Sequence, residues 1–227
     1  MAEIDPKKSS ILKLEKLTNM LPDLSRIEQS LFEKGYQYIA GVDEAGRGPL
    51  AGPVVAAAVI LPIGIEIDGL DDSKKLSAKR RDILFDEIAA SGAFCEVGII
   101  DNDTIDKINI LQASLMAMRK AVNSLKQKPE IILVDGTFTI PNVTIPQMAI
   151  VGGDRLCKAV SAASIIAKVT RDRIMDKYAE LHPNFSFAQH KGYPTKLHLE
   201  ELAEFGATDI HRQSYKPVIE LTKQTLI

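Results

Sequence analysis

The sequence predicts an α/β domain in which a mixed central sheet is flanked by helices. Two observations predict this class. Two apolar segments at residues 38–42 and 54–61 are joined by a short turn rich in glycine and proline, which indicates an antiparallel hairpin. Helical and strand patterns then alternate along the chain, which is typical of helices that pack on a sheet.

The chain begins with a helical pattern at residues 11–34, where apolar side chains recur at spacings of three and four. Pro22 is expected to split this segment into two helices, because proline has no backbone N–H for the preceding turn. Gly35 is expected to end the second helix.

Two helices and two strands are predicted after the hairpin. Ser77 is placed to cap a helix that runs to about residue 90, since a serine there accepts a backbone N–H of the first turn. A strand at 94–100 and a helix at 103–125 follow, and the helix has apolar residues along one face. Another apolar strand is predicted at 131–134.

The strongest helical pattern lies at residues 156–181 and is ended by Pro183. A shorter helix is predicted at 196–205. These patterns divide the chain into three parts: a helical N-terminal extension at 1–36, the main domain at 37–217, and a C-terminal extension or tail at 218–227.

Composition limits the classes of partner. The chain has 227 residues, 45% of them apolar, a net charge of −2 and a pI of about 6.1, so any polyanion must be held by a local basic patch. No apolar run approaches the ~18 residues that span a bilayer, and residues 1–10 lack the apolar core of a secretory signal. We expect a cytoplasmic monomer with no membrane partner. Cys95 and Cys157 have no metal-binding spacing and are expected to be buried free thiols.

Four carboxylates lie at strand ends or before a helix. Asp43 and Glu44 follow the first predicted strand, Asp135 ends the fourth, and Asp154 precedes the long helix. Any one of them alone is explained more simply as a turn former or a helix cap. Together they indicate a metal site, because like charges ~4 Å apart repel by about 4 kcal/mol at an effective dielectric of 20, and a divalent cation removes that cost. Oxygen ligands favour Mg²⁺ or Mn²⁺ over zinc.

A shared metal site sets a geometric requirement on the first strand. Successive residues of a regular strand point to opposite faces. Asp43 and Glu44 therefore share a site only if the strand ends or bulges there, and the glycines at 46 and 48 favour such a break.

At these residues the sequence resembles a known family. Segment 41–54 reads Gly-Val-Asp-Glu-Ala-Gly-Arg-Gly-Pro-Leu-Ala-Gly-Pro-Val. It resembles the signature of the bacterial type 2 ribonucleases H, the ribonuclease HII family. Further similar segments follow in the family's order across about residues 37 to 217: residues 72–77, 134–136, 153–154, 162–169 and 190–193.

The resemblance implies a ribonuclease H-like fold and a metal-dependent endoribonuclease. The implied substrates are the RNA strand of RNA–DNA hybrids and single ribonucleotides embedded in duplex DNA, with 5′-phosphate and 3′-hydroxyl product ends. The implied cofactor is Mn²⁺ or Mg²⁺. Thr137 departs from the family pattern, where asparagine is expected, and residues 1–36 lie outside the shared segments. Four residues are implied to be catalytic and metal-binding: Asp43, Glu44, Asp135 and Asp154.

Sensing the ribose 2′-hydroxyl is what separates RNA from DNA. Gly46 and Gly48 allow the backbone to approach a sugar closely, although a plain turn also explains them. Tyr193 offers a flat ring and a hydroxyl to the ribose, and an ordinary loop tyrosine is the alternative. With the resemblance, the expected substrate-binding set is Gly46, Arg47, Gly48, Ser73, Lys74, Lys75, Ser164, Lys168 and Tyr193.

Basic residues of this set have a simpler alternative as well. Lys74 and Lys75 precede a helix and are placed to hold phosphates, but charge runs usually form a solvated face. Lys168 shares a helix face with Ser164, four residues earlier, and a solvent-facing lysine is the alternative.

Three other functions share parts of this pattern. A different nuclease or recombinase of the same superfamily would carry a similar carboxylate cluster, but the segments around the acids do not suggest one. A non-catalytic nucleic-acid-binding module is disfavoured because none of the four acids is lost. A metal-dependent phosphomonoesterase would be revealed by turnover of a small phosphate ester. His190, His198 and His211 lack metal-ligand spacing, and no ligand role is assigned to them.

Overall fold

The computed structural model describes residues 27–70 and 76–224, with side chains of the last helix as far as Leu221. One five-stranded sheet forms the centre, in the order β3-β2-β1-β4-β5. The pairs β1–β2 and β2–β3 are antiparallel, whereas β1–β4 and β4–β5 are parallel, so the predicted hairpin and the mixed sheet are confirmed. The strands are β1 (Ile39–Ala45), β2 (Val54–Ile60), β3 (Phe94–Ile100), β4 (Ile131–Asp135) and β5 (Gln147–Ile150).

Helices cover both faces of this sheet. Helix α4 packs on one face against alternate residues of β2, while α2 and α6 pack on the other. In the described residues the helices are α1 (Ile27–Glu33), α2 (Ala78–Ala90), α3 (Asn102–Ile108), α4 (Ile110–Ser124), α5 (Gly153–Leu156), α6 (Lys158–Leu181), α7 (Phe187–His190), α8 (Lys196–Phe205) and α9 (Lys216–Gln224).

Two strand glycines let helices lie directly on the sheet. A Cβ added at Gly41 in β1 would lie 2.1 Å from the carbonyl carbon of Ala159 in α6. A Cβ added at Gly98 in β3 would lie 2.0 Å from the carbonyl oxygen of Ala117 in α4. Only glycine permits such close approach of two backbones, so α6 is held tightly against the strand that carries Asp43.

The structure corrects two boundaries and adds one strand. The single helix predicted at 103–125 is broken at Asn109, whose φ is 67° and whose side chain accepts the N–H groups of Leu111 and Gln112 to start α4. Asparagine tolerates this left-handed backbone and competes with the helix for backbone donors. The long helix begins at Lys158 because a separate turn, α5, precedes it. Strand β5 was not predicted, since it has only four residues.

The helix before β1 belongs to the packed core. Ile27 and Leu31 are buried against Ile39, Ile131 and Met148. The predicted stop at Gly35 is confirmed, because its φ is 91° and its N–H donates to the carbonyl of Phe32. The helix break expected at Pro22 lies outside the described residues.

The C-terminal helices build a smaller core of their own. Phe185, Phe187 and Leu202 pack with Val218 of α9 against Leu50, in the turn between β1 and β2. This packing joins the end of the chain to the turn that follows the acidic strand. No helix in the described ranges is long and apolar enough to cross a membrane.

Candidate active site

The predicted break after Val42 is wrong on one side of β1. Asp43 and Glu44 lie within the strand and pair regularly with Ala57 and Ala56 of β2, so there is no bulge. This pairing is made by backbone groups, so charged side chains do not prevent it. On the other side, pairing with β4 ends at Val42. The two acids therefore lie beyond the last residue pair of β1 and β4, next to the end of β4. There the charge of Glu44 acts on the Asp43 carboxylate, so the expectation that a break or bulge is required is also wrong.

Asp43 is buried, with 4% of its surface exposed, as is Asp154. One of its carboxylate oxygens accepts the N–H of Glu44 at 2.7 Å, and the hydroxyl of Ser164 in α6 donates to the carboxylate. Burial, followed by the charges of Glu44 and Asp135, holds the pKa of Asp43 well above its usual range despite these two hydrogen bonds. Without a cation, an ionised Asp43 is thus energetically unfavourable at this position.

Asp135 and Asp154 are brought together by the Gly152–Gly153 turn. Asp135 ends β4, and its Oδ1 accepts the N–H of Gly153 at 2.8 Å. Gly152 has a φ of 71°, which favours glycine and starts α5, so that Asp154 lies in the first turn and is buried. Asp154 does not cap the long helix, since the residue before α6 is Cys157.

The donors fit a hard divalent cation, although the carboxylates are bonded to protein groups. Among the described residues, no three acidic, histidine or cysteine side chains are already arranged to hold a metal ion. Glu44 pairs with Arg47, whose Nη1 lies 3.2 Å from its Oε1, and Asp135 is bonded to Gly153. These groups are all oxygen donors with closely placed negative charges, the chemistry that Mg²⁺ and Mn²⁺ prefer.

Three predicted substrate-binding residues lie on α6 or beside the turn that follows β1. The ring of Tyr193 lies against Gly48, where an added Cβ would be 3.6 Å from Cε1, and the tyrosine is 38% exposed. Nζ of Lys168 lies 5.7 Å from the centre of the same ring and donates to Asp172. Ser164 is buried and reaches Asp43 instead of solvent.

Other predicted residues are placed differently. Arg47 is half exposed and paired with Glu44. The predicted phosphate-binding segment, which comprises Ser73, Lys74 and Lys75, lies outside the described residues. Cys95 and Cys157 are both free, and Cys157 is fully buried, whereas Cys95 is half-buried with its pKa raised to about 11 by burial.

Residues that support the site were missed by sequence reasoning. Arg171 in α6 and Arg212 after α8 are fully buried and bind carbonyls of the turn between β1 and β2. Glu28 in α1 accepts the N–H groups of Lys158 and Ala159 at the start of α6, at 2.5 and 3.0 Å. Apart from the Tyr215 hydroxyl, which Arg212 also contacts, the partners are backbone groups, and no side-chain pattern in the sequence indicates them.

A ribonuclease H-like sheet with carboxylates at the ends of two neighbouring strands defines a metal-dependent nuclease. Residues 40–218 match the sequence model of the family described as Ribonuclease HII, and the chain belongs to that family. The chain is 50% identical over 199 residues to ribonuclease HII of Geobacter sulfurreducens, covering 88% of this chain and 91% of that one. It is 48% identical over 208 residues to ribonuclease HII of Listeria innocua, covering 92% and 79%.

A solved structure supports the same assignment. Ribonuclease H2 of Pyrococcus horikoshii OT3 superposes with a TM-score of 0.67 at 28% identity, covering 82% of this chain and 98% of that one. The predicted fold class and family are therefore confirmed. The chain is a metal-dependent endoribonuclease that acts on RNA–DNA hybrids.

Proposed function

We propose that the chain cleaves the RNA strand of hybrids, and single ribonucleotides within duplex DNA, using Mn²⁺ or Mg²⁺ held by four carboxylates: Asp43, Glu44, Asp135 and Asp154. The observation that carries this proposal is the buried Asp43 carboxylate, whose pKa is raised by burial and by two neighbouring acids. Perturbed groups of this kind concentrate at catalytic sites, where a ligand removes the energetic cost.

The protein's own part is to hold the acids in place. Close packing of Gly41 on α6 fixes β1, and Ser164 of that helix orients Asp43 by a hydrogen bond. Glu44 would give up its ion pair with the half-exposed Arg47 to hold the cation, whose charge would replace that of the guanidinium. When bound, the cation supplies an activated water and stabilises the charge on the departing oxygen, which leaves 5′-phosphate and 3′-hydroxyl ends.

Selection of ribose is proposed to depend on the turn after β1. Gly48 has no side chain between its backbone and the Tyr193 ring, so a sugar can lie close to both. Lys168 adds a positive charge near that ring. We assign phosphate binding to Ser73, Lys74 and Lys75. We propose that the enzyme acts as a monomer.

The test is cleavage of an end-labelled DNA duplex that contains one ribonucleotide. An all-DNA duplex and a full RNA–DNA hybrid are run beside it, each with Mg²⁺, with Mn²⁺ or with excess chelator. We expect cleavage only where ribose is present and only with added metal. Equal cutting of the all-DNA duplex, or undiminished activity in chelator, would refute the proposal. A small phosphate ester in a parallel reaction tests the phosphomonoesterase alternative, and we expect no turnover.

A further inference from the structure

Two buried arginines lie beneath the turn at residues 46–53. Arg171 and Arg212 are both fully buried. A guanidinium removed from water is strongly unfavourable unless its N–H donors are satisfied. The partners of these donors therefore show what the two arginines do.

Arg212 binds consecutive carbonyls at the start of the turn. Its Nη2 donates to the carbonyl of Gly46 at 2.6 Å and to that of Gly52 at 3.0 Å. Its Nη1 donates to the carbonyl of Arg47 at 3.1 Å and to the hydroxyl of Tyr215 at 3.0 Å. That hydroxyl in turn donates to the same Arg47 carbonyl at 3.1 Å. One guanidinium thus fixes both ends of the turn.

Arg171 connects this turn to the segment that carries Tyr193. Its Nε donates to the carbonyl of Pro53, its Nη2 to that of Ala51, and its Nη1 to that of Lys191, at 3.0, 3.1 and 3.0 Å. The two parts of the proposed ribose site are therefore held together from below.

The direction of the bound carbonyls sets the direction of the N–H groups. In a planar trans peptide the C=O and the following N–H point in opposite directions. Because the carbonyls of Gly46 and Arg47 point inward to Arg212, the N–H groups of Arg47 and Gly48 point away from it. Successive N–H groups with a shared direction form a concave donor site for an oxygen acceptor.

We infer that Arg212, supported by Arg171, is a positioning residue for ribose selectivity, because it turns the N–H groups of Arg47 and Gly48 outward toward the substrate. The inference rests on the proposed function, in which this turn contacts the sugar. Gly46 fits the same arrangement, since its φ is 101° and an added Cβ would lie 2.2 Å from Nε of Arg171.

Lysine cannot replace Arg212 in this role. A guanidinium presents five N–H donors in a planar fork, whereas an ammonium is a point charge with three donors on one atom. The Gly46, Arg47 and Gly52 carbonyls are bound by three different nitrogens of Arg212. Arg212→Lys therefore keeps the buried charge while it releases at least one of these carbonyls.

The test compares cleavage of duplexes whose single variable nucleotide carries a 2′-hydroxyl, a 2′-fluoro group or hydrogen. We expect Arg212→Lys to lower kcat on the ribonucleotide by about 10- to 100-fold, since misplacing a reacting group by about 1 Å costs that much. KM should change less than about threefold, because phosphate contacts persist. The ratio of ribonucleotide to 2′-fluoro cleavage should fall with kcat.

Tyr215→Phe provides a milder variant that removes one hydroxyl and leaves the buried arginine in place. We expect the same selectivity ratio to fall by about threefold, because the Arg47 carbonyl keeps Arg212 as a partner. Arg173→Met is the matched control, because Arg173 lies on α6 but is half exposed and pairs with Asp82. It should leave both kcat and selectivity unchanged.

The outcomes separate the inference from the proposed function. A wild-type enzyme that cleaves the three duplexes equally would overturn both. A selective wild-type enzyme with Tyr215→Phe at the same selectivity ratio, or with the ribonucleotide and 2′-fluoro duplexes slowed equally by Arg212→Lys, would overturn only the positioning role. Circular dichroism establishes folding of each variant. If Arg212→Lys does not fold, the ratio of ribonucleotide to 2′-fluoro cleavage by Tyr215→Phe tests the positioning role.

Discussion

Two clusters of buried charge flank the start of the turn at residues 46–53, and they are built in opposite ways. In the acidic cluster, Asp43 is surrounded by like charges that raise its pKa, and the folded chain supplies few compensating donors. In the basic cluster, the donors of Arg171 and Arg212 are bound to backbone carbonyls. We propose that a ligand completes the acidic cluster, whereas the basic cluster is complete on folding.

The difference separates residues that serve chemistry from residues that serve shape. Groups held in unfavourable surroundings mark sites where binding or catalysis recovers the free energy. Groups with every hydrogen bond satisfied stabilise one backbone conformation. The two clusters should therefore respond oppositely to substitution, and the following changes test that comparison in order of expected effect.

Asp43→Asn should abolish activity without loss of stability. We expect kcat/KM to fall by at least about 10³-fold, equivalent to about 4 kcal/mol, because an uncharged amide binds a divalent cation poorly. The measurement is cleavage of the single-ribonucleotide duplex, with Asp86→Asn on the exposed face of α2 as the matched control.

The same variant tests whether Asp43 is held unfavourably. A raised pKa in the folded state makes the ionised Asp43 carboxylate destabilising above its ordinary pKa near 3.8, so the Asp43→Asn variant should unfold at equal or higher urea concentration at pH 7 in chelator. The gain should vanish as the pH falls toward 3.8. A clear loss of stability would show that Asp43 is part of the structural framework.

Arg171→Met should behave in the opposite way to Asp43→Asn: it should lower the stability of the fold, because Arg171 does not hold the metal. Removal of this guanidinium leaves the carbonyls of Ala51, Pro53 and Lys191 without these bonds, and we expect a cost of about 3–5 kcal/mol in the free energy of unfolding. Urea unfolding measures it, with Arg173→Met as the control. A change below about 1 kcal/mol would show that the basic cluster is not the stabilising one.

The sequence indicated the acidic cluster much better than the basic one. Asp43 and Asp135 were found because acids at the ends of apolar strands are conspicuous, and the resemblance added Tyr193. Arg171 and Arg212 resemble ordinary solvated arginines, since their partners are carbonyls that carry no sequence signal. Patterns of side chains predict side-chain chemistry, whereas contacts between a side chain and distant backbone depend on the tertiary fold.

The course of β1 was missed for a related reason. The apolar run ends at Val42, so the charged residues were expected to end the strand. Backbone pairing with Ala56 and Ala57 of β2 continues the strand through Asp43 and Glu44. The helix break at Asn109 and the short β5 were also beyond a periodicity argument, because each depends on only a few residues.

Three buried histidines, His190, His198 and His211, form a third cluster of titratable groups, which is neutral in the folded state. Nε2 of His198 lies 3.0 Å from Nε2 of His211, an arrangement that requires one of the two to be unprotonated. Burial lowers the pKa of His198 to about 4 and that of His211 to about 3. His190 stacks on His198 at 4.2 Å, and burial lowers its pKa too.

Acid should therefore weaken the fold through this cluster. Below about pH 6.5 the histidines of the unfolded chain become protonated, whereas His198 and His211 in the folded state stay neutral. The free energy of unfolding therefore falls between about pH 6.5 and 4. The slope is at most about 1.4 kcal/mol per pH unit for each histidine. Urea unfolding at about pH 7.5, 5.5 and 4.5 measures it, and His198→Gln should show a shallower fall than the wild type. Parallel curves would contradict the prediction.

Glu28→Gln should have the smallest effect and sharpens the comparison among acids. Burial raises the pKa of Glu28, as it does for Asp43, but its two oxygens accept the N–H groups of Lys158 and Ala159, where the start of α6 also favours negative charge. The amide keeps at most one acceptor, so we expect about 1 kcal/mol of destabilisation. Thermal unfolding measures it, with Glu33→Gln on the exposed side of α1 as the control. If Glu28→Gln stabilises the fold, Glu28 belongs with the unfavourable acids, and unchanged stability would remove its proposed role at the helix start. A loss of about 1 kcal/mol would show that backbone N–H groups satisfy the buried Glu28 carboxylate in the folded state, as backbone carbonyls satisfy Arg171 and Arg212.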